Sequence, residues 1–237
     1  WRSLMIEKRA FDSLGRFRND WLNARHHFSF GGYHDPDRMG WGALQVWNDD
    51  EIAADGGFAP HPHENMEIIT YVREGAISHR DNLGNAGRTM AGDVQVMSAG
   101  SGIRHSEFNQ EAETTTLFQI WILPRETGGE PRWETASFPA GDRTGQLIVL
   151  ASGDPERDGG LLIRQDAKVF GATMEAGQSV NHRLKPGHRA YLTLAIGSGS
   201  VNGIELDARD AAAIRDEDEI RIEAGSALEL VMVEVPE

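Results

Sequence analysis

The 237-residue sequence contains no cysteine. This absence excludes disulfide bonds, thiolate nucleophiles, zinc fingers and iron–sulfur clusters. Basic residues are also few, because 23 Lys and Arg stand against 37 Asp and Glu, and the formal net charge is −14. Such a charge disfavours direct nucleic-acid binding, which needs clustered basic side chains on the phosphates. It disfavours contact with an anionic membrane surface for the same reason.

Long apolar segments are missing as well. No apolar run approaches the ~20 residues that a membrane-spanning helix needs. The mixed and charged segment Trp1–Ala10 is not typical of a signal peptide. We therefore expect a cytoplasmic protein. Hydrophobic residues make up 39% and charged residues 25% of the chain, which is typical of a globular protein that buries a core.

Helical periodicity is scarce, and short runs rich in β-branched and aromatic residues take its place. Clusters of Gly, Asp, Asn and Pro separate these runs, and 27 glycines are available for turns. The clearest runs are Ala43–Trp47, Glu67–Tyr71, Val94–Met97, Leu117–Leu123, Leu147–Leu150, Leu161–Arg164, Ala190–Ile196 and Leu228–Val235. The pattern predicts an all-β sandwich or barrel. Asn202-Gly203 predicts a type I′ hairpin turn.

A polar stretch divides the chain into two halves. Pro124–Gly145 contains three prolines and four glycines, which predicts a linker or a long loop between two β units. Gly56–Gly75 and Gly177–Gly199 both run from a glycine through a His-containing segment into an apolar strand, which suggests a weak two-fold similarity. His182 and His188 in the second half form no His-x-His pair, so we expect no metal there.

Two pairs of metal-ligating side chains have the spacing of one strand face. His61 and His63 flank Pro62, and residues i and i+2 of an extended segment point to the same side. His105 and Glu107 repeat that spacing. Two such faces opposed inside a barrel would bring three imidazoles and one carboxylate together. This ligand set suits Fe, Mn, Ni, Co or Zn rather than Ca or Mg, and leaves two positions of an octahedral ion open.

Both pairs lie in segments that resemble the two cupin motifs. After His61 and His63 come Glu67 and Gly75, as in the first motif, although the leading and closing glycines are each displaced by one position. The second motif is matched by Gly92, Gly100, His105 and Asn109, with Ser98 in place of proline and two extra residues before His105. Neighbouring strings resemble the pirin family in particular, most densely over residues 20–125. These strings are His27-Phe28-Ser29-Phe30, Pro60–His63, Glu67–Tyr71 with Glu74-Gly75 and the nearby His79, and Ser98–Glu107.

The resemblance implies a bicupin fold of two tandem jelly-roll β-barrels. Residues 1–130 would form the metal-binding N-terminal barrel, and residues 131–237 a degenerate C-terminal barrel. The resemblance also implies Fe(II) held by His61, His63, His105 and Glu107, although ligand type alone leaves other divalent transition metals open.

A specific activity follows from the same resemblance. It implies a quercetin 2,3-dioxygenase, which opens the ring of a flavonol with O₂. We expect Glu107 to act as catalytic base for the flavonol 3-hydroxyl, as a loosely held carboxylate that exchanges between metal and proton.

Two other classes of function are compatible with the same residues. One is an iron-binding regulatory protein whose redox state is recognised by a protein partner without turnover, and the acidic charge suits a basic partner. The other is a structural cupin that binds metal adventitiously. An open pocket beside the metal favours the enzyme, whereas a closed site beside a broad apolar patch favours the binding protein.

Several further polar residues have alternative interpretations. Glu67 is a candidate fifth ligand or a support for an imidazole. His79 either faces the pocket or lies on its rim. Asn48–Glu51 is interpreted as a solvated turn rather than a calcium site, because it lacks the spacing of a calcium loop. Arg73 is interpreted as a solvated strand residue rather than a substrate-binding one.

Overall fold

The computed structural model describes residues 5–237, so the first four residues of Trp1–Ala10 lie outside the described part. Strands dominate it. The first eleven are β1 (Ile6–Arg9), β2 (Gly15–Arg18), β3 (Leu22–His26), β4 (Leu44–Ile52), β5 (Gly57–His63), β6 (Glu67–Glu74), β7 (Ala76–Asp81), β8 (Ala86–Met90), β9 (Asp93–Ser98), β10 (Ile103–Phe108) and β11 (Thr115–Ile122). The second eleven are β12 (Arg132–Ser137), β13 (Ile148–Ser152), β14 (Leu161–Leu162), β15 (Lys168–Met174), β16 (Ser179–Arg183), β17 (His188–Ile196), β18 (Gly199–Val201), β19 (Ile204–Leu206), β20 (Ala211–Ile214), β21 (Glu219–Ala224) and β22 (Leu228–Pro236).

Across residues 5–237, helical structure is limited to single turns. Two short 3₁₀ segments cover Phe11–Ser13 and Ala140–Arg143, and one α-helical turn, α1, covers Pro155–Asp158. Within residues 5–237, no helix has the length and apolar character needed to cross a membrane. The all-β prediction is confirmed, since each of the eight predicted runs overlaps a strand. Asn202 and Gly203 join β18 to β19 with positive φ angles of 46° and 82°, as a type I′ turn requires.

The strands form two units that repeat one arrangement. In the first unit, the sheet β12-β9-β6-β11-β4-β3-β2 is accompanied by the sheet β5-β10-β7-β8. In the second, the sheet β1-β20-β17-β22-β15-β13-β14 is accompanied by β16-β21-β18-β19. The same strand order at corresponding positions supports the two-fold similarity that the sequence suggests.

Each unit takes one strand from the other half of the chain. Strand β1 pairs with β20 in the second unit, whereas β12 pairs with β9 in the first. The prediction that Pro124–Gly145 is only a linker or loop is therefore wrong. The segment contains a short polar edge strand whose Trp133 and Thr135 bond to Gln95 and Thr89 of the first barrel. The domain division at residue 130 stays a prediction, and these two strands cross it.

Apolar side chains are distributed unequally between the two barrels. The largest core lies between the seven-stranded sheets and includes Trp47 and Phe118 from one half and Val231 and Val233 from the other. A second core fills the C-terminal barrel. The N-terminal barrel has two smaller apolar clusters and many buried polar side chains. Its interior is therefore where chemistry is expected.

The acidic segment Asn48–Glu51 is not a solvated turn, and that prediction is wrong. It lies in β4, a strand with neighbours on both sides. Asp49 is fully buried and pairs with Arg209 of the C-terminal half at 2.7 Å. Arg73 also pairs with Asp49, so this arginine is not the solvated strand residue that was expected. Strand alternation places Asp49 at the interface between the barrels, where the two guanidinium groups compensate its charge.

Candidate metal centre

The first pair of predicted ligands lies on the edge strand β5. Pro60 and Pro62 are tolerated there because an edge strand has one side without ladder hydrogen bonds. His61 and His63 point to the same side, as the i, i+2 spacing predicts, with ring centroids 4.7 Å apart. The Nδ1–H of His61 donates to the carbonyl oxygen of Ala59 at 2.7 Å, which leaves its Nε2 as a free acceptor.

The second pair lies on β10, which is hydrogen-bonded between β5 and β7. His105 is directly opposite His61 in the ladder, and their Nε2 atoms are 3.0 Å apart. Nitrogen atoms of His61, His63 and His105 all lie within 4.8 Å of one another. The structure therefore brings the three predicted imidazoles together.

Glu107 occupies a deeper position than the three imidazoles. A carboxylate oxygen of Glu107 and nitrogen atoms of His105 and His79 all lie within 4.8 Å of one another. Glu107 does not form such a group with all three predicted histidine ligands. Glu107 and His105 are both buried on one face of β10, as predicted. The four-residue ligand set stays a prediction, in which His105 is the histidine that forms a group with Glu107.

Two glutamines hold the carboxylate of Glu107. Gln95 Nε2 donates to Oε1 at 2.6 Å, and Gln119 Nε2 donates to Oε2 at 2.9 Å. Each amide is oriented by an indole N–H, from Trp133 at 3.3 Å and from Trp121 at 3.1 Å. Both oxygens of the carboxylate are thus anchored by amide donors, and its exchange between metal and proton stays a prediction. The only sequence signal for the glutamines was their inward position in alternating strands.

Glu67 lies away from the three imidazoles. Its Oε2 accepts a hydrogen bond from Ser98 Oγ at 2.6 Å and another from the backbone N–H of Arg164 at 3.1 Å. Arg164 belongs to the C-terminal half, so Glu67 connects the two barrels. Burial raises the pKa of Glu67, and the two donors oppose that shift. Among the described residues it joins neither group of potential ligands.

His79 faces the interior and not the rim. It is buried on β7, and its Nδ1 lies 3.3 Å from the Nδ1 of His105. Its Nε2 lies 2.8 Å from a carboxylate oxygen of Asp81. Burial lowers the pKa of His79, and Asp81 opposes that shift. His79 is therefore a neutral imidazole at neutral pH.

Burial dominates the electrostatics of the site. Burial, with a smaller contribution from neighbouring histidines, lowers the pKa of His63 to about 4 and that of His105 to about 2. It raises the pKa of Glu107 to about 7, although Gln119 and Gln95 oppose that shift. It also raises the pKa of Asp50 to about 8, with Asp49 and Glu107 adding to the effect. His63 and His105 are consequently neutral at neutral pH and can donate lone pairs.

The side chains present fit a first-row transition metal ion. The acceptor Nε2 of His61 faces the Nε2 of His105 at 3.0 Å, which a shared proton or a cation would satisfy. Imidazole nitrogens with a nearby carboxylate are the donors that such ions prefer. A cavity of about 520 Å³ opens beside His63, and it is lined by Pro62, His63, Glu64, Asn82, Gly102, Ile103 and Arg104. A small molecule can therefore reach the site.

Comparison with known proteins places the chain in a family. The family model described as Pirin matches residues 7–122, and the model of the quercetinase C-terminal cupin domain matches residues 149–235. A pirin-like protein from Caulobacter vibrioides is 57% identical, over 97% of this chain and 99% of that protein. A quercetin 2,3-dioxygenase from Escherichia coli K12 is 42% identical, over 98% of this chain and 99% of that protein.

A solved structure agrees with these matches. A bacterial pirin from Escherichia coli, crystallised in complex with nickel(II), superposes with a TM-score of 0.92 at 39% identity. The alignment covers 98% of this chain and 99% of that chain. The predicted fold of two tandem cupin barrels is confirmed. The chain belongs to the pirin family.

Proposed function

We propose that this protein is an Fe(II)-dependent dioxygenase of the quercetin 2,3-dioxygenase type, which opens the ring of a flavonol with O₂. One observation carries the proposal. Three imidazoles converge beside a buried carboxylate, and one of them, His63, also lines a cavity of about 520 Å³. That volume is within the range of about 300–1,000 Å³ found for small-molecule sites. Relatives named quercetin 2,3-dioxygenase support the choice of substrate class.

The residues that would hold the ion are His61, His63, His105 and Glu107. Their imidazoles and single carboxylate suit iron, and they suit nickel as well. When bound, such an ion would act as a Lewis acid that lowers the pKa of a substrate hydroxyl.

The chain's own residues supply binding and proton transfer. Pro62 and Ile103 give the cavity apolar walls for a flat aromatic ring system, and Asn82 and Arg104 give it a polar rim. Glu107 is the proposed base, and the proton of the 3-hydroxyl passes to one of its carboxylate oxygens. Gln95 and Gln119 keep that carboxylate in one orientation, which reduces the reorganisation needed during transfer.

The test is aerobic consumption of quercetin by protein that has been stripped of metal and reloaded anaerobically with Fe(II) or Ni(II). We expect turnover that depends on Fe(II) and disappears in a His105→Ala variant. A Glu107→Gln variant that retains iron should lose most of its turnover, and unchanged turnover at neutral pH would remove the base role. Absence of turnover in the fully iron-loaded protein would reject the flavonol reaction in favour of the regulatory iron-binding protein.

A further inference from the structure

A buried histidine–carboxylate pair lies directly behind His105. The side chains of His79 and Asp81 are both completely buried, and His79 Nε2 is 2.8 Å from Asp81 Oδ2. Both residues lie on β7, next to β10 in the sheet, and Glu107 is opposite His79 in the ladder. The pair therefore contacts the proposed metal centre from the side away from His61.

The hydrogen bonds of Asp81 show which atom carries the proton. Its Oδ1 accepts the backbone N–H groups of Leu83 at 2.9 Å and Asn85 at 3.1 Å. Its Oδ2 accepts the side-chain amide of Asn85 at 2.9 Å. A carboxylate that already accepts three hydrogen bonds has no proton to give to His79. The fourth contact must then be a hydrogen bond donated by His79 Nε2–H.

The protonation of His105 follows from that assignment. The hydrogen bond to Asp81 places the ring proton of His79 on Nε2, which leaves a lone pair on Nδ1. This Nδ1 lies 3.3 Å from the Nδ1 of His105, so His105 must be the donor there. Its own lone pair is left on Nε2, the atom that faces His61 Nε2. The chain Asp81–His79–His105 thus holds His105 in the one tautomer that can bind a metal ion through Nε2.

The position of His79 is fixed by a strand from the other half of the chain. The indole of Trp133 on β12 stacks on the His79 ring, with centroids 4.8 Å apart and planes at 8°. Gly87 lies opposite His79 on β8, and a Cβ there would come within 2.3 Å of the indole. A glycine is therefore required at this place to admit the indole. The same indole N–H orients Gln95, so Trp133 supports the His105 and Glu107 sides of the site together.

We propose that His79 and Asp81 are positioning residues that set the His105 tautomer for metal binding through Nε2. The inference rests on the proposed role of His105 as a ligand. Groups that hydrogen-bond to a ligating histidine typically change metal affinity about 10–100-fold when they are lost. The hydrogen-bonded chain Asp81–His79–His105, called the relay below, predicts a change in metal affinity of that size when Asp81 is replaced, without any direct contact between Asp81 and the ion.

The decisive variant is Asp81→Asn. If the new side-chain oxygen keeps the two backbone N–H groups, the NH₂ group faces His79 Nε2. His79 must then accept at Nε2 and donate at Nδ1, which forces the proton of His105 onto Nε2. We expect the Ni(II) dissociation constant, measured by competition with a chelator, to rise about 10–100-fold. In the metal-free protein, imidazole ¹⁵N chemical shifts should show the His105 proton on Nε2 in this variant and on Nδ1 in the wild type.

A matched control exists in the C-terminal barrel. His182 Nε2 contacts the carboxylate of Glu234, and neither residue approaches the proposed centre. A Glu234→Gln variant removes the same charge from the same kind of pair, and should leave both the nickel affinity and the His105 signals unchanged. His79→Phe keeps a ring beneath Trp133 but no nitrogen, and should match Asp81→Asn. His79→Gln retains one donor and one acceptor, and should restore part of the affinity.

Different failures separate the two proposals. If His105→Ala leaves nickel affinity unchanged, the metal site itself is misassigned. If His105→Ala abolishes binding but Asp81→Asn retains wild-type affinity and the His105 Nδ1–H signal, the relay is wrong and the site stands. If His79→Phe abolishes binding while Asp81→Asn does not weaken it, His79 is a direct ligand and the positioning role is overturned. Thermal melting of each metal-free variant identifies any that fails to fold.

Discussion

The two barrels have the same strand order, but their corresponding strands carry opposite kinds of side chain in the interior. In each, three neighbouring strands of the large sheet contribute one inward residue to a shared layer, as the ladder registers show. The layer is Gln119, Thr70 and Gln95 in the N-terminal barrel, and Met232, Leu192 and Ala212 in the C-terminal barrel. The first layer binds the carboxylate of Glu107, whereas the second belongs to an apolar core.

The small sheets differ in the same way. The inward residues of β10 are Ile103, His105 and Glu107, and those of the corresponding strand β21 are Ile220, Ile222 and Ala224. One scaffold therefore supports either a ligand set or an aliphatic core. The distinction lies in alternate residues of a few strands and does not require a change of topology.

The difference has an energetic consequence. Buried polar groups reduce stability unless each is hydrogen-bonded, and around Glu107 indole, amide and hydroxyl partners supply such bonds. The C-terminal barrel buries mainly aliphatic side chains, which stabilise it directly. We interpret the C-terminal barrel and the large interface core as the stabilising parts of a molecule whose first barrel carries the chemistry.

The ion cluster at the interface provides the largest test of how the barrels depend on one another. Asp49→Asn would leave Arg73 and Arg209 without their shared carboxylate in a buried position. We expect the free energy of unfolding in urea to fall by about 3 kcal/mol, the lower end for a broken buried pair because Arg209 is 23% exposed. Unfolding should remain a single transition, because the interface core includes residues of both halves.

The exposed pair of Asp12 and Arg16 is a suitable control, since Asp12→Asn should change stability by less than about 0.5 kcal/mol. An equally small effect of Asp49→Asn would mean that the interface cluster is solvated and contributes little.

A second test exchanges one residue of the two layers. Gln119→Met introduces a residue type found in the layer of the C-terminal barrel, with similar volume and no donor for Glu107. We expect metal affinity and iron-dependent turnover to fall about 10–100-fold, as for other losses of a hydrogen bond to a metal ligand. Met232→Leu in the apolar layer should leave both unchanged and cost less than about 1.5 kcal/mol of stability. Equal affinities in the two variants would show that the amide does not position Glu107.

The sequence was sufficient for the strands and the imidazoles because both depend on local spacing. Period-two alternation placed His61 and His63 on one face, and the same rule placed His105 with Glu107. Neither pattern shows which residues support them. A glutamine at an alternate strand position is typical of a solvated face, and only the barrel closure turns Gln95 and Gln119 towards Glu107.

The acidic segment Asn48–Glu51 shows the opposite limitation. Its consecutive charged residues predict a solvent-exposed segment. In the structure, however, the charge of Asp49 is compensated by Arg209, which is distant along the chain. The position of Glu67 likewise depends on the backbone of Arg164 in the other half. Long-range pairing of this kind leaves no periodic signal in a single sequence.

A third difference between the halves concerns acid sensitivity. His27 lies in the interface core, where its Nδ1 is 2.8 Å from the hydroxyl of Tyr191 and its Nε2 has no hydrogen-bond partner. Burial holds the pKa of His27 well below its usual value, and the nearby cations Arg9 and Arg38 lower it further. The histidines of the C-terminal barrel, His182 and His188, lie against Glu234 and Asp166 instead.

The sign of the resulting pH dependence is determined by that lowered pKa. The unfolded chain binds a proton on His27 below a pH of about 6.5, whereas the folded protein does not, so folding becomes less favourable as the pH falls. The slope approaches about 1.4 kcal/mol per pH unit for one such histidine. We expect His27→Phe to reduce the loss of unfolding free energy between pH 7.5 and 5.5, measured in urea on metal-free protein, whereas a change at the exposed His34 leaves it as in the wild type. If His27→Phe and the wild type lose stability equally, the acid sensitivity comes from the buried histidines of the N-terminal barrel, and the interface histidine is compensated.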